Sequence, residues 1–192
     1  MIKAKLQDVK RSLILEAAAA AFESAGYEAL KVSELAKGVG VSVGTIYGLF
    51  ESKEGLYMAY VKAQISGYIA ELRARCETVT DPEAQLETAF WLKFSHFASK
   101  RRAVEECAKN NPLFFSNIRH SEPEILEQVY KVIAGIVRRI NPKLDEEEAL
   151  AMSYHLAGLS DGYINYWLVH DGDLLSKVPA LQAQMLTMIK GC

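Results

Sequence analysis

The stretch Val41-Ser42-Val43-Gly44-Thr45-Ile46-Tyr47-Gly48-Leu49-Phe50-Glu51-Ser52-Lys53 decides the reading of this chain. Ser42 stands where a helix N-cap belongs, its hydroxyl free to accept a first-turn backbone N–H. The helix that it opens is short. Ile46, Leu49 and Phe50 recur at i, i+3 and i+4 and share one face, which can anchor the helix to a core. Val43, Gly44, Tyr47 and Gly48 share the opposite face, which is flat. A short helix with one greasy face and one flat face suits the major groove of duplex DNA. Ser52-Lys53-Glu54 opens the next helix, where a first-turn lysine opposes the macrodipole unless a phosphate shares that helix end.

Working outward, residues 7–25 are predicted to form an amphipathic helix with Leu13, Ala17, Ala20 or Ala21 and Phe22 as its buried stripe. Gly26-Tyr27 ends it. Val32, Leu35, Ala36 and Val39 make a short second helix, and Gly38-Val39-Gly40 turns into the third. With these in place, the run from Ile14 to Leu56 resembles the DNA-binding domain of the TetR family of transcriptional regulators. The residues that carry the resemblance are Ala17-Ala18, Phe22, Gly26-Tyr27, Leu35-Ala36, Gly40-Val41-Ser42, Gly44-Thr45-Ile46-Tyr47, Phe50 and Ser52-Lys53-Glu54.

The resemblance implies DNA contacts, mostly to phosphates, from Ser42, Gly44, Thr45, Tyr47 and Lys53. Lys31 is expected to meet a further phosphate, and Val43 a thymine methyl group. There are departures from the family pattern. Leu49 stands where the family often has His, Gly48 where it often has a large or basic residue, and Leu30-Lys31 where it usually has hydroxyl residues. The groove face holds no Arg, Lys, Asn or Gln, so selectivity is expected to lean on DNA shape and on an N-terminal arm bearing Lys3, Lys5, Lys10 and Arg11.

The 192 residues, half of them hydrophobic, suit one or two packed domains. A helix-turn-helix head over 1–54 and a helical body over 55–192 are expected. Net charge is −2, and residues 1–62 hold eight Lys/Arg against seven Asp/Glu, so the placement of cations must argue for DNA rather than their sum. No apolar run approaches the ~20 residues of a membrane span, and no signal peptide is evident. Cys76, Cys107 and Cys192, odd in number and widely spaced, fit a reducing cytoplasm.

The body is predicted all-α. Helices are expected over 54–79, from Pro82 to about 108, over 123–140, from Asp145 to about 169, and over 174–190. Its aromatic residues suit a largely apolar pocket with a few polar groups. Phe94, Phe97, Phe114, Tyr130, His155 and Tyr163 are the candidate ligand contacts, for an apolar or aromatic effector. Small residues at Ala149, Ser153, Ala157, Gly158 and Ser160 mark the last two helices as a self-association surface, as the resemblance also implies.

An enzyme is not expected. His96, His120, His155 and His170 form no His-x-x-x-His pair and no metal spacing with Cys, and Gly38, Gly40 and Gly44 miss the dinucleotide-loop spacing. No catalytic residue, metal or cofactor is therefore assigned. The sequence reading is an all-α, two-domain, homodimeric repressor that leaves a palindromic double-stranded DNA operator when a small molecule binds the body. The alternative is a TetR-like module for ligand or protein binding that has lost specific DNA binding.

Overall fold

The computed structural model describes residues 2–101, 104–105 and 123–192. The described residues hold eight α-helices and no strand: α1 Ile2–Ala25, α2 Val32–Val39, α3 Val43–Phe50, α4 Lys53–Glu77, α5 Pro82–Ser99, α6 Pro123–Ile140, α7 Glu146–His170 and α8 Val178–Lys190. A 3-10 turn, Leu175–Lys177, leads into α8. The all-α expectation holds. The described residues form two compact units, one built from residues up to Gln64 together with 104–105, the other from Ile65–Arg101 and 123–192.

In the first unit, α1 starts at Ile2, earlier than the expected residue 7. Its buried stripe is Ile14, Ala18 and Phe22, at 0, 0 and 1 % exposure, whereas Leu13 is 51 % exposed. The run Leu13-Ile14-Leu15 leaves the helical phase open from sequence. Phe22 fixes it, because steps of four from that ring reach Ile14 and not Leu13. Gly26, at φ 88°, ends the helix, its N–H reaching the Phe22 carbonyl at 3.0 Å. α2 ends in a paired cap around Gly40 at φ 75°. Gly40 N–H bonds the Lys37 carbonyl at 3.3 Å, and Val41 N–H bonds the Ala36 carbonyl at 2.9 Å. This left-handed cap needs glycine, and it turns the chain directly into α3.

In the second unit, α6 packs on α7 and α5, and α8 on α5 and α7. Leu86, Phe94, Ile136, Val137, Leu156, Ile164, Leu181, Met185 and Ile189 form its core. Asp145 opens α7 with a full capping box, accepting from Glu148 N–H at 2.9 Å while the Glu148 carboxylate accepts from Asp145 N–H at 2.9 Å. Among the described residues no buried side-chain nitrogen or oxygen lacks a partner. Asn141, for example, donates to the Ile189 carbonyl at 2.7 Å.

Two sequence expectations change here. α5 ends at Ser99, short of 108, with Lys100 leaving the helix at φ −118°, ψ 22°. The small residues taken for an association surface mostly face inward, Ala149, Ser153 and Ser160 being at most 1 % exposed. Ser153 and Ser160 bond carbonyls of their own helix, at Leu150 and Ala157, and Ser160 also accepts from the Lys93 ammonium at 2.6 Å, so both hydroxyls are satisfied while buried.

Candidate nucleic-acid interface

α3 is eight residues long, too short to hold together alone. It is held by its ends and by one face. Ile46 and Phe50 are buried at 0 and 4 %. At the N-terminus the Ser42 hydroxyl accepts from Thr45 N–H at 3.0 Å and lies 2.9 Å from the Thr45 hydroxyl. Ser42, Val43, Gly44, Tyr47 and Gly48 are exposed, and Thr45 is half-buried. The expected groove face is thus the outward face. It carries no charge and is unobstructed: a Cβ added at Gly48 would meet nothing within 4 Å, and one at Gly44 only the Ser42 hydroxyl at 3.7 Å.

The flanking cations are already engaged. Lys53, half-buried, donates to the Glu28 carbonyl at 3.2 Å and sits 4.6 Å from the Tyr27 ring centre. Burial first, then the carboxylates of Glu54 and Glu28, push the Tyr27 phenol up, so it stays neutral under the ammonium. Lys31 is exposed and pairs with Glu34 at 3.1 Å, a surface pair of small energetic weight. Ser52 caps α4 by accepting Gly55 N–H at 2.9 Å. The expected arm is helical from Ile2 onward.

Sequence reasoning missed how α3 ends. Glu51 has φ 67° and ψ −46°, and Ser52 N–H bonds the Phe50 carbonyl at 2.7 Å across it, closing a three-residue turn that costs strain in any residue but glycine. A Cβ on Gly55 would fall 2.1 Å from the Phe50 carbonyl oxygen, so glycine there lets the turn close. Releasing about 1–3 kcal/mol of strain at Glu51 outweighs the roughly 0.5–1 kcal/mol entropic cost of a glycine. Glu51→Gly is therefore expected to stabilise the head by about 1 kcal/mol, read as a higher denaturant midpoint with an unchanged slope. A lower midpoint would show that the turn is unstrained.

The second unit places the expected effector residues unevenly. Phe94 is fully buried, with its ring centre 6.3 Å from that of Tyr163. Phe97 packs half-buried against the same core. Tyr130 is buried and stacks on Tyr154 at 3.8 Å. His155 departs from expectation: its side chain is exposed on α7, because Leu156 takes the core-facing position beside it. Phe114 lies outside the described residues, as does Cys107. His96 bonds the Glu71 carboxylate at 3.1 Å, and that bond together with Arg75 holds Glu71 below the usual carboxylate range. Burial pushes the Cys76 thiol up, away from thiolate reactivity.

α7 and α8 present an outward face of uncharged residues. On α7 it comprises Tyr154, Gly158, Gly162, Tyr166 and Val169; on α8, Ala180, Ala183, Gln184 and Thr187. Beside it lies a groove of about 360 Å³ whose walls are Leu159, Gly162, Tyr163, Tyr166, Trp167 and Leu174, with Asp171, Asp173 and Lys177 also lining it. Among the described residues, Tyr163 is the one expected effector residue in this groove, and its hydroxyl donates to Gln184 at 3.2 Å. No group of three metal-ligating side chains occurs among the described residues. No helix among them is long and apolar enough to cross a membrane.

Residues 14–60 match the family model described as bacterial regulatory proteins, tetR family. The HTH-type transcriptional activator FasR of Mycolicibacterium smegmatis is 26 % identical over 172 residues, covering 86 % of this chain and 75 % of that protein. The HTH-type transcriptional regulator BetI of Yersinia pestis is 27 % identical over 168 residues, covering 84 % and 82 %. Among solved structures, the transcriptional regulator FadR from Bacillus subtilis, in complex with stearoyl-CoA, shares the fold. Its TM-score is 0.70 at 22 % identity, over 92 % of this chain and 97 % of that one.

Proposed function

The chain belongs to the TetR family of transcriptional regulators through its residues 14–60, and on that premise we propose that it is an effector-controlled repressor acting as a homodimer on a palindromic operator. The observation that carries the reading is α3 itself: a capped helix, pinned from below by Ile46 and Phe50, with an unobstructed face turned outward. Ser42, Gly44, Thr45 and Tyr47 contact the backbone of the groove, and Val43 packs on a thymine methyl. Lys53 and Lys31 meet flanking phosphates. Lys53 is supported in this role by its seat on Tyr27, which fixes where its remaining N–H groups can point.

The uncharged α7–α8 face is the proposed contact with the second copy. Two heads joined in this way read two half-sites. The effector binds in the second unit beside Phe94, Phe97, Tyr130 and Tyr163, with Phe114 as a further proposed contact. Its chemistry is mostly apolar, since these side chains are phenols and hydrocarbon. FadR of Bacillus subtilis holds stearoyl-CoA, and a long acyl chain is one molecule of the required kind. α4 supplies residues to both units, which makes it the element through which effector and operator oppose each other. Such coupling is reciprocal: operator must weaken effector binding by the same factor.

The test is selection of bound fragments from the source genome at two salt concentrations. A palindrome whose affinity falls steeply with salt is expected. Lys53→Gln is expected to weaken binding to it and to reduce the slope of log affinity against log salt by about one. An unchanged slope would assign Lys53 to the head's own packing against Tyr27. Weak binding that ignores sequence would favour the other reading, a ligand- or protein-binding module, which the absence of any charged or amide side chain on α3 already motivates.

A further inference from the structure

Arg11 was expected to reach DNA from an N-terminal arm, and its geometry is different. It lies on α1, and its guanidinium donates to the Leu49 carbonyl at 2.6 Å while stacking 4.5 Å from the centre of the Phe50 ring. Both partners sit in the last turn of α3. That turn has no basic residue of its own, although the carbonyl end of a helix is where a cation is favoured. The backbone there is only partly satisfied. Glu51 N–H bonds Tyr47, and Ser52 N–H turns back to Phe50, so neither reaches Leu49. The Leu49 carbonyl is instead taken by a side chain 38 residues earlier in the chain.

We infer that Arg11 is a positioning residue for DNA reading: it caps the carbonyl end of α3 and sets the angle at which the outward face meets the groove. This rests on the DNA-binding reading above. The need for such a clamp follows from the length of α3. A helix this short has few internal hydrogen bonds to hold its last turn, and Tyr47, the one large residue of the groove face, is on that turn. A planar guanidinium can stack and donate at once; an ammonium on a flexible stem cannot reproduce the pair.

The experiment compares the full-length wild type with Arg11→Ala and Arg11→Lys on a duplex retained from the genome selection and on a mixed-sequence duplex, across a salt series. Amide hydrogen exchange of α3 is followed in parallel. Both variants are expected to lose about tenfold in affinity for the selected duplex and little for the mixed one, with the salt slope unchanged. Exchange is expected to quicken in residues 47–51 and to stay as it was in α1 and α2. A slope lowered by about one, with exchange unchanged, would overturn the inference and make Arg11 a phosphate contact. Faster exchange throughout the head would overturn it as well, leaving a general packing role. A wild type that binds the selected duplex no better than variants overturns this inference alone; a wild type that binds no duplex selectively overturns the DNA-binding reading beneath it.

Discussion

Gly162→Arg is expected to leave each protomer folded and to abolish self-association, with operator affinity falling roughly 10²–10⁴-fold as the second head is lost. The position separates the two effects cleanly. A Cβ built at Gly162 meets nothing within 4 Å in its own protomer, and the position is exposed, so a longer side chain has solvent to extend into. The same side chain would stand on the uncharged α7–α8 face, at the rim of the groove lined by Tyr166 and Trp167. A bulky guanidinium there would have to be desolvated on both of two identical copies for them to meet. Sedimentation at micromolar concentration should give the monomer mass, with helical content as in the wild type. A dimer that survives the substitution would move the self-association surface elsewhere.

Phe94→Ala carries the largest expected change in stability, a loss of about 3–5 kcal/mol. The ring is 0 % exposed and stands in the core cluster with Leu86, Ile136 and Leu156. Truncation leaves a void that helices packed on several sides cannot close. Denaturant unfolding measures the loss, and small apolar solutes that enter the void should return part of it. The outcome also bears on the effector. A loss below about 1 kcal/mol would mean that the ring borders empty space rather than packed neighbours, which would locate the effector's room beside it.

How far the sequence reached depended on whether local chemistry set the outcome. Ser42 as N-cap, Gly26 as a left-handed stop, the turn through Gly40 and Asp145 as the head of α7 were legible, because each feature is settled within a few residues. The outward face of α3 was legible for the same reason. Phase was harder. In Leu13-Ile14-Leu15 all three residues are apolar, and tertiary packing chooses among them. In α7 a small residue can mean close approach on either side of the helix. Ala149, Ser153 and Ser160 lie inside, while Gly158 and Gly162 lie outside, and only neighbouring helices decide which. His155 failed on the same ambiguity, one residue from the buried Leu156. The role of Arg11 lay beyond reach altogether, since nothing local links it to a carbonyl 38 positions away.

The bare outward side of α3 has an evolutionary consequence. Val43, Gly44, Tyr47 and Gly48 do not hold up the head; Ile46, Phe50 and the two helix ends do. Most substitutions on that side therefore cost the fold little, and a Cβ added at Gly48 meets no protein atom within 4 Å. In such a protein the choice of target is free to drift by single mutations while the scaffold stands still, and one scaffold can be handed from gene to gene.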